Sequence, residues 1–318
     1  MCKVTQKIAK MKIFCKKICE YQIFFVPLHC LSITFIKTTL MKEPKRILFL
    51  SQEIYPYLPE ETPIRMLNRR LPEVFQSRGF ETRTFMPKFG DINERRNQLH
   101  EVIRLSGMNL IIDDTDHPLL IKVASIPQAR IQVYFTDNDD LFHRRKGIAD
   151  ENGVEYADND KRCVFFARGV IETVKKQHWT PRVIHCSGWM TALAPLLLKR
   201  AYSDEPFFAE SKIVLVIDDN EYKTPFSTKF TDKLCAIPGI TSADVRSIAG
   251  FPVGYEELMR LAVDYSDAIV FASDKINPRL QNYAITKNKP ILEYADFGNT
   301  DRYIEFYDSL IEKKEENE

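Results

Sequence analysis

The chain has 318 residues, of which 44% are hydrophobic and 28% are charged, as in an ordinary globular protein with a large core. Its 45 basic and 44 acidic residues give a formal net charge of +1. This balance leaves no excess positive charge for a phosphate backbone or an anionic lipid surface, so it argues against a nucleic-acid-binding protein.

The cysteines are unevenly distributed along the chain. Of the 7 cysteines, only Cys163, Cys186 and Cys235 lie beyond the first thirty residues. Their spacing fits neither a zinc site nor a disulfide framework. We therefore expect a protein of the reducing cytoplasm that holds no metal and no cofactor.

The first forty residues differ from the rest. Residues 21–36, YQIFFVPLHCLSITFI, are apolar but short for a membrane span, and Pro27 and His29 interrupt them. A weak signal anchor is one interpretation. The other, which we favour, is that residues 1–41 are a non-native or disordered extension and that the protein starts at Met41. No membrane association is then expected.

From Lys45 onward, short β-rich runs alternate with amphipathic helical segments. The first half gives strand RILFLSQ, helix IRMLNRRLPEVFQSRG, strands ETRTFMP, LLIKVASI and RIQVYFTD, helix RCVFFARGVIETVKKQ and strand RVIHC. The second half gives helix ALAPLLLKRAY, strand KIVLVID, helix YEELMRLAVDYS, strand AIVFAS and helix DRYIEFYDSLIEKK. This order predicts an α/β protein with a doubly wound, mostly parallel, Rossmann-like sheet. Its ligands are expected in the loops after the carboxyl ends of the strands.

Two acidic clusters, DDTD at residues 113–116 and DNDD at residues 137–140, raise the question of a metal site. Grouped carboxylates attract hard cations, but neither cluster has the alternating spacing and closing glutamate of an EF-hand. Both lie where turns are expected, so the sequence predicts a hairpin or a solvated loop at each.

Several segments, in order, resemble the N-terminal half of bacterial glycogen synthases and plant starch synthases. These are retaining glycosyltransferases that move glucose from ADP-glucose to the end of an α-1,4-glucan. The matching segments are ILFLSQEIYPY, LPEVFQSRGFETRTFMPKFG, VYFTDNDDLFHR, YADNDKRCVFFARGVIE, RVIHCSGWMTALAPLLLK and YSDAIVFAS. The resemblance implies the N-terminal Rossmann-like half of a GT-B glycosyltransferase over residues 42–310, followed by a charged tail at residues 311–318.

The resemblance also implies substrate-binding residues. In YADNDKR, Asp158, Asn159 and Arg162 correspond to the family's sugar-contacting Asp-Asn and the arginine that follows. In the turn that corresponds to the family's HAHDWH, His185 and Trp189 are retained. For Asp158 and Asn159, the alternative role is capping of the helix that follows. For His185 the alternative is a structural role, and for Trp189 it is packing at a helix start.

The same resemblance assigns no catalytic residue. Cys186 is adjacent to His185, but neighbouring residues of a strand point to opposite faces, so they cannot form a nucleophile and base pair. Elsewhere in the turn the family's aspartate and its last two histidines are gone. Asp218 and Asp219 replace a histidine and an asparagine of the family after strand KIVLVID.

The family's Lys-Thr-Gly-Gly loop, which meets the sugar nucleotide, is degenerate in this chain. Counting back from Leu71 and Pro72 places it at the four residues Glu60, Glu61, Thr62 and Pro63. Two acids stand where a cation and a hydroxyl should face a phosphate, and the proline lacks a backbone donor. The resemblance therefore implies a weakened hold on the diphosphate.

Two functions follow from the resemblance. A starch or glycogen synthase-like enzyme would bind α-glucan and ADP-glucose. It would need a second-half protein or a homo-oligomer, because only a short stretch follows Ser273, where the family's nucleotide-binding half would come. A non-catalytic member would instead bind glucan or a protein partner and regulate glycogen metabolism. The degenerate loop favours the second hypothesis.

Overall fold

The computed structural model describes residues 45–126, 129, 131–294 and 299–315. The extension predicted for residues 1–41 lies outside the described residues, as do residues 316–318 of the predicted tail. The boundaries predicted for the domain, residues 42–310, stay a prediction. The last described helix runs to Glu315, into the segment predicted as a tail.

Among the described residues, the strands form a ten-stranded sheet. They are β1 (Arg46–Ser51), β2 (Glu81–Pro87), β3 (His100–Glu101), β4 (Met108–Ile112), β5 (Thr115–Ile126), β6 (Ile131–Asp137), β7 (Val183–Ser187), β8 (Lys212–Ile217), β9 (Ala268–Phe271) and β10 (Ile291–Leu292). Their order is β10-β9-β8-β7-β1-β2-β6-β5-β3, and β4 pairs with β5. All pairs from β10 to β6 are parallel, and those of β5 are antiparallel. The predicted mostly parallel, doubly wound sheet is confirmed.

Helices cover both faces of the sheet. They are α1 (Pro63–Ser77), α2 (Asn159–Lys176), α3 (Ala194–Lys199), α4 (Phe230–Cys235), α5 (Tyr255–Tyr265), α6 (Pro278–Thr286) and α7 (Asp301–Glu315). On one face, α1 and α7 contribute Phe75 and Tyr307 to the core. On the other face, α2 and α3 contribute Phe165 and Leu197. Two layers of helices around one sheet are the arrangement that parallel strands require.

Strand β1 lies at the centre of the sheet, and every side chain after the first is buried. Ile47 and Phe49 pack in the core on the α1 side, and Leu48 and Leu50 pack in the core on the other side. Successive side chains of a strand point to opposite faces, so a continuous apolar run marks a strand covered on both faces.

The predicted elements differ from the structure in some details. The helix predicted over ALAPLLLKRAY ends at Lys199, because Arg200 leaves helical geometry with φ −121°. The segment expected to close the domain, INPRLQNYAITKNKPILEY, forms α6 and β10, and β10 adds a strand beside β9. At residues 113–116 the predicted hairpin is confirmed: Asp113 and Asp114 turn between β4 and β5 with φ values of 56° and 55°.

The carboxyl ends of β1, β7 and β8 lie side by side at one edge of the sheet. Ser51 is in register with Ser187, and Ser187 with Val216. Since β1 lies between β7 and β2, the chain order reverses at this point. Such a switch point separates the loops that follow the strands, and ligands of open α/β sheets bind in the resulting crevice.

Candidate functional site

A pocket of about 610 Å³ opens at the carboxyl edge of the sheet, and we call it the edge pocket. The loops after β1, β8 and β9 and the first turn of α1 bound it. Its charged lining consists of Glu53, Glu60, Arg65, Asp218, Asp219, Asp274 and Lys275. The ring of Tyr294, a residue that is 42% exposed, also lines it. Five carboxyl groups therefore face this pocket with two cations.

The degenerate loop forms the start of α1. The Thr62 hydroxyl caps the helix by accepting the Arg65 N–H at 3.4 Å, and Pro63 occupies the first helical position, where no N–H is needed. Glu60, Thr62 and Pro63 line the edge pocket, whereas Glu61 is exposed outside it. The loop is thus an ordinary helix start that presents acidic and apolar groups to the pocket.

Arg65 is the cation of this loop, and it is bound to the loop itself. Its Nε donates to a carboxylate oxygen of Glu53 at 2.7 Å. Its Nη1 donates to the Glu60 carbonyl oxygen at 3.2 Å and lies 3.3 Å from the Glu60 carboxylate. The guanidinium is therefore shared between two acids, and Lys275 is the second, exposed cation of the pocket.

Asp218 follows β8 and is only 4% exposed. Burial raises its pKa to about 7, and the negative charges of Glu53 and Asp219 add to this rise. The backbone N–H of Asn220 donates to one carboxylate oxygen at 3.1 Å and opposes the rise. Among the described residues, no ion pair engages Asp218. The pocket therefore contains a buried carboxyl group that lacks a counter-ion and changes charge near neutral pH.

A closely packed recess, which we call the inner cleft, adjoins the edge pocket, because Glu53 and Asp218 line both, and it leaves no free volume for a water molecule. Its walls hold three buried polar atoms that have no hydrogen-bond partner: Gln52 Nε2, Asn68 Oδ1 and Ser187 Oγ. The other halves of the two amides are engaged. Gln52 Oε1 accepts the Met190 N–H at 3.1 Å, and Asn68 Nδ2 donates to the Glu53 carbonyl oxygen at 2.9 Å. Buried polar groups without partners cost free energy.

Gly188 forms the wall of the inner cleft where the family has an aspartate. Its φ of +86° lies in the left-handed region, and a Cβ at this position would come within 2.6 Å of the Gln52 Cβ. The loop therefore requires glycine both for its backbone conformation and for the close approach of Gln52. An aspartate does not fit this backbone.

Asp158 and Asn159 lie at the start of α2, next to the loop that precedes it. Asp158 takes the N-cap position, but its side chain accepts from Arg145 Nη2 at 3.2 Å instead of capping the helix. Asn159 Nδ2 donates to the Ile148 carbonyl oxygen at 3.0 Å. Ile148 lines the edge pocket, so these residues hold a wall of the pocket without lining it themselves.

Arg162 is fully buried in the same region. Its Nη1 donates to Asn159 Oδ1 and its Nη2 to the Gly147 carbonyl oxygen, both at 2.7 Å. The guanidinium carbon lies 4.9 Å from the Phe142 ring centroid and 5.5 Å from that of Phe89. Burial lowers the pKa of Arg162 to about 10. Its contacts fix the loop that precedes α2.

His185 and Trp189 are both 0% exposed and lie in the core. His185 Nδ1 lies 2.6 Å from the Tyr307 hydroxyl, and burial lowers its pKa to about 3, which keeps the ring neutral. The Trp189 ring packs on Tyr222 and Phe226, with centroids 4.9 and 6.1 Å away. Neither side chain lines the edge pocket or the inner cleft. The burial of both side chains fits a structural histidine and a packing tryptophan better than it fits sugar contacts.

The one group of potential metal ligands found among the described residues lies elsewhere, at the ends of β2 and β6. Donor atoms of Glu94, Asp137 and His143 lie within 4.8 Å of one another. However, Lys88 Nζ is 3.0 Å and Lys122 Nζ 2.7 Å from the Glu94 carboxylate, and Lys122 Nζ is 2.8 Å from Asp137. Two ammonium groups already supply the positive charge, so the group is a salt-bridge network.

The loops that line the edge pocket and the inner cleft include those that the sequence analysis selected, but it did not select Gln52, Asn68 or Ser187. Gln52 and Asp218 are each the last residue of a predicted strand, which is the available signal. Ser187 directly follows the predicted strand RVIHC and has the same signal. Asn68 lies on the buried side of α1, and nothing in the sequence distinguishes it from a packing residue.

The doubly wound sheet, with a pocket at its switch point, defines a Rossmann-like α/β domain. The sequence model described as "Starch synthase catalytic domain" matches residues 46–287, and the chain belongs to this family. The resemblance to glycogen and starch synthases is therefore confirmed.

Curated relatives are glycogen synthases. That of Pelodictyon phaeoclathratiforme is 31% identical over 246 residues, which cover 76% of this chain and 49% of the relative. That of Chlorobium limicola is 36% identical over 173 residues, which cover 54% of this chain and 35% of the relative. The chain thus spans less than half the length of these relatives.

A solved structure shares the fold. It is the catalytic domain of starch synthase IV from Arabidopsis thaliana bound to ADP and acarbose, with a TM-score of 0.64 and 15% identity. The match covers 79% of this chain and 51% of that one.

No helix in the described part of this chain combines the length and apolar character that a membrane span needs.

Proposed function

We propose that this chain is a non-catalytic member of the starch synthase family that binds α-glucan at the edge pocket and does not transfer glucose from ADP-glucose. The observation that carries the proposal is the charge of the pocket at the family's donor loop. Glu60 faces the pocket where the family's lysine meets the sugar nucleotide, and Arg65 is bound to Glu53 and Glu60. A diphosphate would meet carboxylates here, and like charges oppose binding.

Several features of the pocket suit a neutral, hydroxyl-rich ligand. Carboxylate, amide and hydroxyl groups of Asp219, Asn220, Ser273 and Thr62 can accept or donate hydrogen bonds to sugar hydroxyls. Tyr294 supplies a partly exposed aromatic ring for the apolar face of a sugar. The predicted residues Asp158, Asn159 and Arg162 then act by positioning the loop that carries Ile148.

Calorimetric titration of the full chain tests this proposal. Maltooligosaccharides should give saturable heats, and ADP-glucose should give none at the same concentrations. Glu60→Lys restores a cation at the loop, and Glu61→Lys, outside the pocket, is the matched control. Saturable ADP-glucose binding by the unmodified chain would overturn the proposal, and so would the absence of any glucan binding.

A further inference from the structure

A short hairpin, residues 148–156, carries one wall of the edge pocket, and we call it the wall hairpin. Its two sides meet in an isolated antiparallel bridge between Ala149 and Glu155. The Tyr156 N–H also donates to the Ile148 carbonyl oxygen at 3.1 Å. Ile148 lines the edge pocket. Because backbone pairing joins the two sides, a displacement of Glu155 moves the wall at Ile148 with it.

The base of the wall hairpin is held by buried side chains, whereas its tip is exposed. Asn159 Nδ2 donates to the Ile148 carbonyl oxygen at 3.0 Å, and Arg162 Nη2 donates to the Gly147 carbonyl oxygen at 2.7 Å. Near the tip, Val154 is 62% exposed. Segments with few buried contacts open at a small cost in free energy, so the position of the tip side depends on the contacts that it makes across the pocket.

Glu155 joins the wall hairpin to the loop after β8. Its Oε2 accepts the Thr224 N–H at 2.7 Å, and the Lys223 N–H lies 2.9 Å from Oε1 and 3.0 Å from Oε2. The same loop presents Asp219 and Asn220 to the edge pocket. Hydrogen bonds from backbone N–H groups to a carboxylate are charge-assisted and stronger than those between neutral groups. One side chain therefore ties two walls of the pocket together.

The part of the loop that receives Glu155 is held independently of the hairpin. Tyr222 and Phe226, on either side of the two donor residues, are each 4% exposed, and their rings stack with centroids 4.6 Å apart. The Tyr222 hydroxyl and the Phe226 N–H both donate to the Val253 carbonyl oxygen, at 3.0 and 2.8 Å. Because the core fixes the loop, the contact positions the hairpin and not the loop.

We propose that Glu155 is a positioning residue of the edge pocket, whose carboxylate holds the wall hairpin closed against the loop after β8 and thereby raises the affinity for glucan. Glu155 does not line the pocket, so it acts through the wall at Ile148 and does not touch the sugar. This inference rests on the proposed function, in which the pocket receives glucan, and adds how the pocket is held in its binding shape. A ligand that contacts both walls binds the closed form more tightly, so the ligand and the Glu155 contact stabilise each other.

Substitutions in the wall hairpin test the effect on affinity. Glu155→Ala removes both acceptor oxygens, and isothermal titration calorimetry of the full chain should show at least about threefold weaker binding of maltohexaose, because the closed form becomes less populated. Glu155→Gln retains one acceptor oxygen without the charge and should lose less affinity. Glu151→Ala is the matched control, since this glutamate of the same hairpin makes an exposed ion pair with Lys146, and it should leave the affinity unchanged. An unfolding transition recorded for each variant verifies that it folds.

Hydrogen exchange of the Lys223 and Thr224 amides distinguishes a positioning role from a purely structural one. In the unmodified chain, saturating maltohexaose should slow this exchange by at least about threefold, because coupling between ligand and contact is reciprocal. In Glu155→Ala the two amides should exchange faster, and maltohexaose should no longer protect them.

Two results would overturn the inference. One is an undiminished affinity for maltohexaose in Glu155→Ala, even if that variant is less stable, and the other is amide exchange that maltohexaose leaves unchanged in the unmodified chain. The proposed function fails separately. Glucan binding that does not depend on Glu155 would leave it standing, whereas the absence of glucan binding by the unmodified chain would contradict both proposals.

Discussion

Replacement of the buried Asp218 by asparagine should stabilise the protein, and increasingly so as the pH rises. The carboxyl group is 4% exposed and has Glu53 and Asp219 as negatively charged neighbours, so the folded protein disfavours its ionised form. Asparagine has nearly the same shape and can still accept the Asn220 N–H through Oδ1. The variant therefore removes the cost of the charge and retains the hydrogen bond.

The magnitude follows from the pKa, which rises from an ordinary 3.8 to about 7 in the folded state. Because the pKa of this acid is raised in the folded state, its favourable contribution to the free energy of unfolding is fully present below pH 3.8 and is lost as the pH rises through 7. One pKa unit is worth about 1.4 kcal/mol, so the free energy of unfolding loses roughly 4 kcal/mol over that window. Between pH 5 and pH 8 the loss is about 2.5 kcal/mol.

Chemical denaturation at pH 5 and pH 8, followed by circular dichroism, measures this effect. The difference in unfolding free energy between Asp218→Asn and the unmodified chain should grow by about 2.5 kcal/mol from the lower to the higher pH. Asp204→Asn should show no such growth, since its carboxyl group is exposed. A difference that stays constant with pH, or one that shrinks, would refute the reasoning.

Three further predictions concern the surroundings of the site. Gly188→Ala should lower the unfolding free energy by at least about 1 kcal/mol more than Gly250→Ala does. Both positions have positive φ, but only an alanine at residue 188 would meet Gln52. Equal losses of unfolding free energy in urea denaturation would contradict this prediction. Arg162→Ala should cost about 3 kcal/mol or more in the same assay and weaken glucan binding through the loop it holds, with Arg162→Lys costing less. The His185 ring should not titrate between pH 5 and pH 8 in NMR spectra, because its pKa lies at about 3; a midpoint near 6.5 would show that the ring is accessible.

The sequence was sufficient to predict the parallel sheet, because β1, β8 and β9 are continuous apolar runs between helical segments. It also predicted which loops lie at the carboxyl edge of the sheet, since their position follows from strand direction. The short strands β3 and β10 were not predicted, because two residues carry no periodic signal.

The site itself depends on contacts between distant segments, which local patterns do not encode. Trp189 could be a sugar platform or a core residue until Tyr222 and Phe226 cover its ring, and both come from a segment that is polar on average. Loss of the family's aspartate at Gly188 is visible in the sequence. Only the fold shows that the positive φ and the close approach of Gln52 require glycine at this position.

A glucosyl transfer assay tests the central claim most directly. The full chain would be incubated with ADP-glucose and maltooligosaccharides, with release of ADP and elongation of the glucan both measured. The glycogen synthase of Chlorobium limicola would serve as the positive control. We predict no ADP release above background from this chain, under conditions in which it binds the maltooligosaccharide. ADP release coupled to glucan elongation would contradict the claim that the acidic loop has abolished donor use.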